Sequence, residues 1–158
     1  MEKNKLFLID AMAMIYRAFY AMNKSPRINS KGLDTSAAFG FFNTLLSLWK
    51  QYKPTHIAIP FDLHGPTFRH KEFADYKSNR QATPDEIRQM EPYIRDIIDA
   101  MHIPILSSEG YEADDVIGTL AKQAAKQGFE VYMVTPDKDY AQLVEENVRI
   151  LKLGRMGS

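Results

Sequence analysis

The sequence predicts a three-layer α/β/α fold around a central, mostly parallel sheet. Short apolar runs alternate with amphipathic helical segments along the whole chain, the pattern of strands crossed over by helices. A length of 158 residues with 45% apolar content suits one domain with a sizeable core. Acids recur directly after the apolar runs, where open parallel sheets bind ligands.

Taken in order, residues 5–9 read as a buried strand and residues 12–22 as an apolar, Met-rich helix. Pro26, Asn29 and Gly32 make residues 23–34 a loop. A second helix spans 35–51, with Asp34 or Thr35 as its N-cap, and residues 56–61 form a second strand. Periodicity is weak over 63–82, where basic and aromatic residues mix, so this stretch is expected to be mobile with partial helix. Thr83-Pro84-Asp85-Glu86 predicts a helix start with a capping box, running to about Met101 behind a stripe of Ile87, Met90, Ile94, Ile97, Ile98 and Met101. Pro92 is expected to bend that helix. Residues 103–106 form a third strand, and 113–127 a helix closed by Gly128. A fourth strand (131–134), a short helix (138–144) and a fifth strand (148–153) complete the series.

Composition excludes several classes. No cysteine is present, so disulfides and thiolate sites are ruled out. The apolar run at Leu6 to Ile9 is broken by Asp10 and Arg17, which argues against a signal peptide or membrane span and makes the cytoplasm the expected location. The net charge of zero hides an asymmetry. Between Arg17 and Lys53 lie six bases against Asp34 alone, whereas Glu112 to Glu146 holds eight acids against three lysines. Cations for phosphates beside carboxylates for metal would look like this.

The acids carry the chemistry. Glu112, Asp114 and Asp115 open one helix, and Asp137 and Asp139 flank the next strand-to-helix junction. Like charges about 4 Å apart repel by roughly 4 kcal/mol per pair at an effective dielectric near 20, so a cation is expected among them. Oxygen ligands without His or Cys select Mg²⁺, Mn²⁺ or Ca²⁺ over zinc. Asp10 directly follows the first strand and Asp62 the second, so four strand ends deliver acids to one edge of the sheet. Any one of these acids alone is a turn former or a helix N-terminal charge; the repetition makes a metal site. His56, His64, His70 and His102 read as structural or surface residues.

Ile9-Asp10-Ala11, Phe61-Asp62, the run Glu112-Ala113-Asp114-Asp115-Val116-Ile117-Gly118-Thr119, and Asp137-Lys138-Asp139 with Gln142-Leu143-Val144 resemble the 5′ nuclease family across essentially the whole chain. Within that family the likeness is greatest to the 5′→3′ exonuclease domains at the amino terminus of bacterial DNA polymerases I. The resemblance implies a PIN-like, resolvase-like fold and a Mg²⁺-dependent phosphodiesterase (Mn²⁺ substituting) that cleaves near the 5′ end of branched or nicked DNA in primer removal and repair. Asp10, Asp62, Glu112, Asp114, Asp115, Asp137 and Asp139 match the family's acidic positions, some acting through bound water. Two such ions activate water and neutralise the phosphate, which leaves no need for a general-base side chain.

By the same resemblance, Tyr16, six residues after Asp10, stacks on the terminal base, and residues 63–82 form a basic arch. In that arch Arg69 and Lys77 are candidates for transition-state stabilisation, and Lys71, Tyr76 and Arg80 for DNA contacts. Ala11 and Pro136 stand where relatives often carry glycine. The family continues with a further aspartate pair and a helix-hairpin-helix element. The chain is therefore expected to be a monomeric amino-terminal piece with polymerase domains following, its two-ion site incomplete. A DNA-binding fragment without turnover is the alternative. A phospho-acceptor domain with Asp62 as acceptor, or a toprim-type metal domain, would leave the Glu112 to Asp115 group or Asp10 unexplained.

Overall fold

The computed structural model describes residues 3–22, 24–61, 83–107, 113–135 and 138–152. The elements are β1 (Lys5–Ile9), α1 (Ala11–Ala21), α2 (Ser36–Tyr52), β2 (His56–Pro60), α3 (Asp85–Ala100), β3 (Ile105–Leu106), α4 (Ala113–Lys126), β4 (Glu130–Val134), a 3-10 helix (Lys138–Leu143) and β5 (Val148–Leu151). The strands form one sheet in the order β3-β2-β1-β4-β5, every neighbouring pair parallel. β1 is central, with Phe7 in register with Ile57 on one side and Tyr132 on the other.

Successive strand residues face opposite sides. Phe7, Ile9, Ile59, Phe61 and Val134 pack with the inner faces of α1, α2 and α3. Leu8, Ala58, Val131, Met133 and Val148 pack on the other side with Ile117 and Ala121 of α4 and with Tyr140. The result is the three-layer architecture expected from the alternating pattern. Close approach of α1 to α2 depends on Gly40: a Cβ there would lie 2.5 Å from the Cβ of Ala18.

Helix ends follow local chemistry. Asp34 Oδ1 accepts from the Ser36 amide at 3.0 Å, while Thr35, at the N-cap, turns its hydroxyl to the Arg27 carbonyl at 2.8 Å. α4 ends as expected at Gly128, whose φ of +91° lets the Phe129 amide reach back to the Ala124 carbonyl.

Four expectations need correction. The capping box at Thr83 does not form: the helix starts one residue later, with Pro84 as N-cap and no side-chain bond, and Thr83 Oγ1 accepts from the Tyr16 hydroxyl. Ile97 lies exposed, so α3 is anchored by Ile87, Met90, Ile94 and Ile98, with Met101 partly buried against the same core. β3 shrinks to two residues, since Pro104 has no amide to give and contributes only its carbonyl to Ile59. The short helix at 138 is of 3-10 type.

Candidate active site at the carboxyl edge of the sheet

In a parallel sheet every strand delivers its last residue to the same edge. β1 places Asp10 there, at the middle of the sheet, and the next residue begins α1. The Asp10 amide continues the ladder to the Val134 carbonyl at 3.0 Å, which fixes its backbone to the end of β4. Its carboxylate is held from two directions. Oδ1 accepts from the Ala13 amide at 3.4 Å, as an N-cap does, and Oδ2 accepts from the Thr135 hydroxyl at 3.1 Å. Thr135 is fully buried, at 0% exposure, directly after β4. Hydrogen bonds to both oxygens fix the group in place, and a carboxylate is the kind of oxygen donor a hard cation takes.

On the opposite face, α4 brings Asp115 in at its first turn, half-buried. The Asp115 carbonyl accepts from the Thr119 hydroxyl at 3.0 Å. α4 seats closely on the 3-10 helix that contains Asp139: a Cβ on Gly118 would come within 3.3 Å of Leu143 Cδ1. Asp114 is likewise a backbone position of α4; the side chains of Asp114 and Asp139 fall outside the described set.

Tyr16 projects from α1, half-buried against the core. Its hydroxyl donates to Thr83 Oγ1 at 3.0 Å, and its ring lies nearly parallel to that of Tyr20, 30° apart in plane with centroids 6.3 Å apart. The tyrosine proposed to stack on DNA is thereby tied to the residue that leads into α3. At the same sheet edge, Phe61 follows β2, and the Arg95 guanidinium of α3 lies 4.2 Å from its ring centre while pairing with Glu91 at 3.6 Å.

The remaining candidates, Asp62, Arg69, Lys71, Tyr76, Lys77, Arg80, Glu112 and Asp137, lie outside the described residues, as does the arch segment they mostly occupy. Among the described residues no three acids or histidines gather closely enough to hold an ion. Two histidines are described. His56 bonds Thr55 and meets Phe129 edge-on, and His102 turns the chain after α3 with a φ of +60°. Thr135 and Arg95 went unread in the sequence. Thr135 carried a signal, a hydroxyl residue closing an apolar strand; Arg95 carried none.

The fold is that of a resolvase-like α/β domain, with Asp10 and Asp115 at the strand carboxyl ends. The chain belongs to the family described as 5′-3′ exonuclease, N-terminal resolvase-like domain, whose profile matches residues 5–157. It is similar to the DNA polymerase I of Bacillus subtilis (strain 168), 44% identical over 150 residues that make up 94% of this chain and 17% of the polymerase. The DNA polymerase I of Treponema pallidum (strain Nichols) is 41% identical over 152 residues, 96% of this chain and 15% of that protein. The chain thus spans about a sixth of the length of these curated relatives. Among solved structures, bacteriophage T5 flap endonuclease, in a pseudo-enzyme–product complex with DNA and metal ions, superposes with a TM-score of 0.70 at 21% identity, covering 95% of this chain and 55% of that one. T5 5′-exonuclease with bound divalent zinc ions gives 0.68 at 22% identity, covering 92% and 54%. At such identities the likeness is one of fold. No helix among the described residues is long and apolar enough to cross a membrane.

Proposed function

We propose that this chain carries a divalent-metal-dependent 5′→3′ exonuclease and flap endonuclease activity, hydrolysing phosphodiesters near the 5′ end of nicked or branched DNA. In this reading it acts as the amino-terminal part of a DNA polymerase I, in the cytoplasm, in primer removal and repair. The observation that carries the reading is the Asp10 carboxylate at the end of the central strand, held by the Ala13 amide and the Thr135 hydroxyl in a chain of this nuclease family.

The residues present fit a hard cation. Asp10 and Asp115 sit on the strand-end side of two different layers, both as carboxylates, and the described residues offer no thiol. Asp10, Asp62, Glu112, Asp114, Asp115, Asp137 and Asp139 would hold Mg²⁺, with Mn²⁺ substituting. Bound ions supply Lewis-acid activation of water and neutralise charge on the phosphate and the leaving oxygen. The chain's own contribution is positioning. Thr135 and Ala13 hold Asp10, Tyr16 offers a ring to the terminal base, and Arg69 and Lys77 offer charge to the scissile phosphate. Arg80, Lys71 and Tyr76 add strand contacts.

The test is incubation of the chain with a 5′-labelled flap duplex in Mg²⁺. Cleavage should vanish in chelator and fall at least about a hundredfold in Asp10→Asn and Asp115→Asn, as expected when a ligand of the reacting centre is neutralised. Absence of metal-dependent cleavage, or cleavage indifferent to both substitutions, removes the proposal.

A further inference from the structure

Thr135 stands out among the buried residues. Of the described residues only Ser36 and Thr135 are both polar and buried, and Thr135 is fully so. A buried hydroxyl without a partner costs about 1–3 kcal/mol, and valine would fill the same space without that cost. A hydroxyl kept at such a position is therefore there for what it bonds. Ser36 answers to structure: its hydroxyl accepts from the Arg27 amide at 2.8 Å and ties the preceding loop to α2. Thr135 answers to Asp10, donating to Oδ2 at 3.1 Å.

We propose that Thr135 is a positioning residue for the metal site, fixing the rotation of the Asp10 carboxylate so that its remaining lone pairs face the ion. The assignment rests on the functional reading above. Its physical basis is the division of labour on the carboxylate. The Ala13 amide bonds Oδ1 from within α1, and the Thr135 hydroxyl bonds Oδ2 from the end of β4. Donors on two elements hold the plane of the group; without the Thr135 hydroxyl its rotation about the Cβ–Cγ bond is less constrained and its ligand geometry loosens. The Asp10 amide to Val134 carbonyl bond keeps the two elements in register, so this orientation comes with the sheet itself. Outer partners that hold a ligating carboxylate in this way are worth about 10–100-fold in metal affinity.

Thr135→Val removes the donor at constant shape, and Thr135→Ser restores it without the methyl. Mn²⁺ binding to the full chain, followed by electron paramagnetic resonance without DNA, reads the effect apart from turnover. Thr135→Val should weaken Mn²⁺ binding about 10–100-fold, and Thr135→Ser should recover most of it. Cleavage by Thr135→Val should return toward the wild-type rate as Mn²⁺ is raised, which a general loss of structure would not allow. In an Asp10→Asn background, Thr135→Val should have no further effect on Mn²⁺ binding. Where valine prevents folding, Thr135→Ala serves for the same measurements. Wild-type affinity in a folded Thr135→Val or Thr135→Ala overturns the assignment and leaves the metal-site reading standing. Failure of the wild-type chain itself to bind Mn²⁺ overturns both.

Discussion

Tyr16 holds two roles at once, and they separate experimentally. Its hydroxyl bonds Thr83 and its ring packs beside Tyr20. Tyr16→Phe keeps the ring and deletes the bond, so stability should fall by about 0.5–1.5 kcal/mol with DNA affinity nearly unchanged. Tyr16→Ala also deletes the stacking surface and should weaken binding of a 5′-terminal 2-aminopurine flap by about 1–3 kcal/mol, with loss of its fluorescence quench. Thermal unfolding and a fluorescence titration read the two effects. Equal affinity in Tyr16→Ala and wild type would return Tyr16 to a purely structural place. The capping box at Thr83 failed as a sequence inference because the helix starts one residue later, with Pro84 at its N-cap. The motif lists what a side chain can do; in the fold Thr83 Oγ1 meets a tyrosine 67 positions away. Asp10 was legible because strand-end acids are a local pattern. Its partner Thr135, 125 positions away, was not, because the bond exists only once β1 and β4 are neighbours.

Elements were more legible than contacts, because their signals are short-range. Apolar runs, helical stripes and turn residues placed the strands and helices of the described residues within a few positions, and Gly128 ended α4 for the backbone reason expected of it. Packing between elements left no such trace. Gly40 looks like a poor helix residue, yet it is where α1 and α2 touch. Gly40→Ala gains helix propensity and should still destabilise by about 1–3 kcal/mol, since the new methyl meets the Ala18 Cβ and the helices must part. Urea unfolding with an unchanged m-value measures it; neutral or higher stability would show that α1 yields freely. Gly128→Ala tests the other kind of glycine. Nothing crowds that position, so its cost comes from the positive φ alone and should be about 1–2 kcal/mol. The two losses should add, because the sites share no partner. Ile97 shows the limit of periodicity: it sits on the stripe by counting, yet it is exposed.

At the scale of the molecule, the proposed site sets a stability balance that metal should tip. In the proposed site seven acids would share one sheet edge and repel one another, a cost the folded state would bear whenever the site lacks a cation. Neutralising one of them relieves repulsion of about 1–4 kcal/mol per close pair. Asp10→Asn keeps a carbonyl oxygen for either the Ala13 amide or the Thr135 hydroxyl, so the folded geometry should survive the exchange. In chelator, then, Asp10→Asn should unfold at a temperature equal to or above that of the wild type. Mg²⁺ reverses the order. An ion that binds only the folded chain stabilises it by about 2.7 kcal/mol at a hundred times its dissociation constant, which for a domain of this size raises Tm by roughly 5–10 °C. The wild type should show that rise and Asp10→Asn little of it, so the two melting curves exchange places between chelator and saturating Mg²⁺. A structural aspartate gives neither half of this behaviour: its loss lowers Tm in both conditions and leaves the response to Mg²⁺ unchanged. Differential scanning calorimetry on the two proteins, with Ca²⁺ as a second ion, decides between them without a DNA substrate, and a parallel offset in all conditions would take Asp10 out of the site.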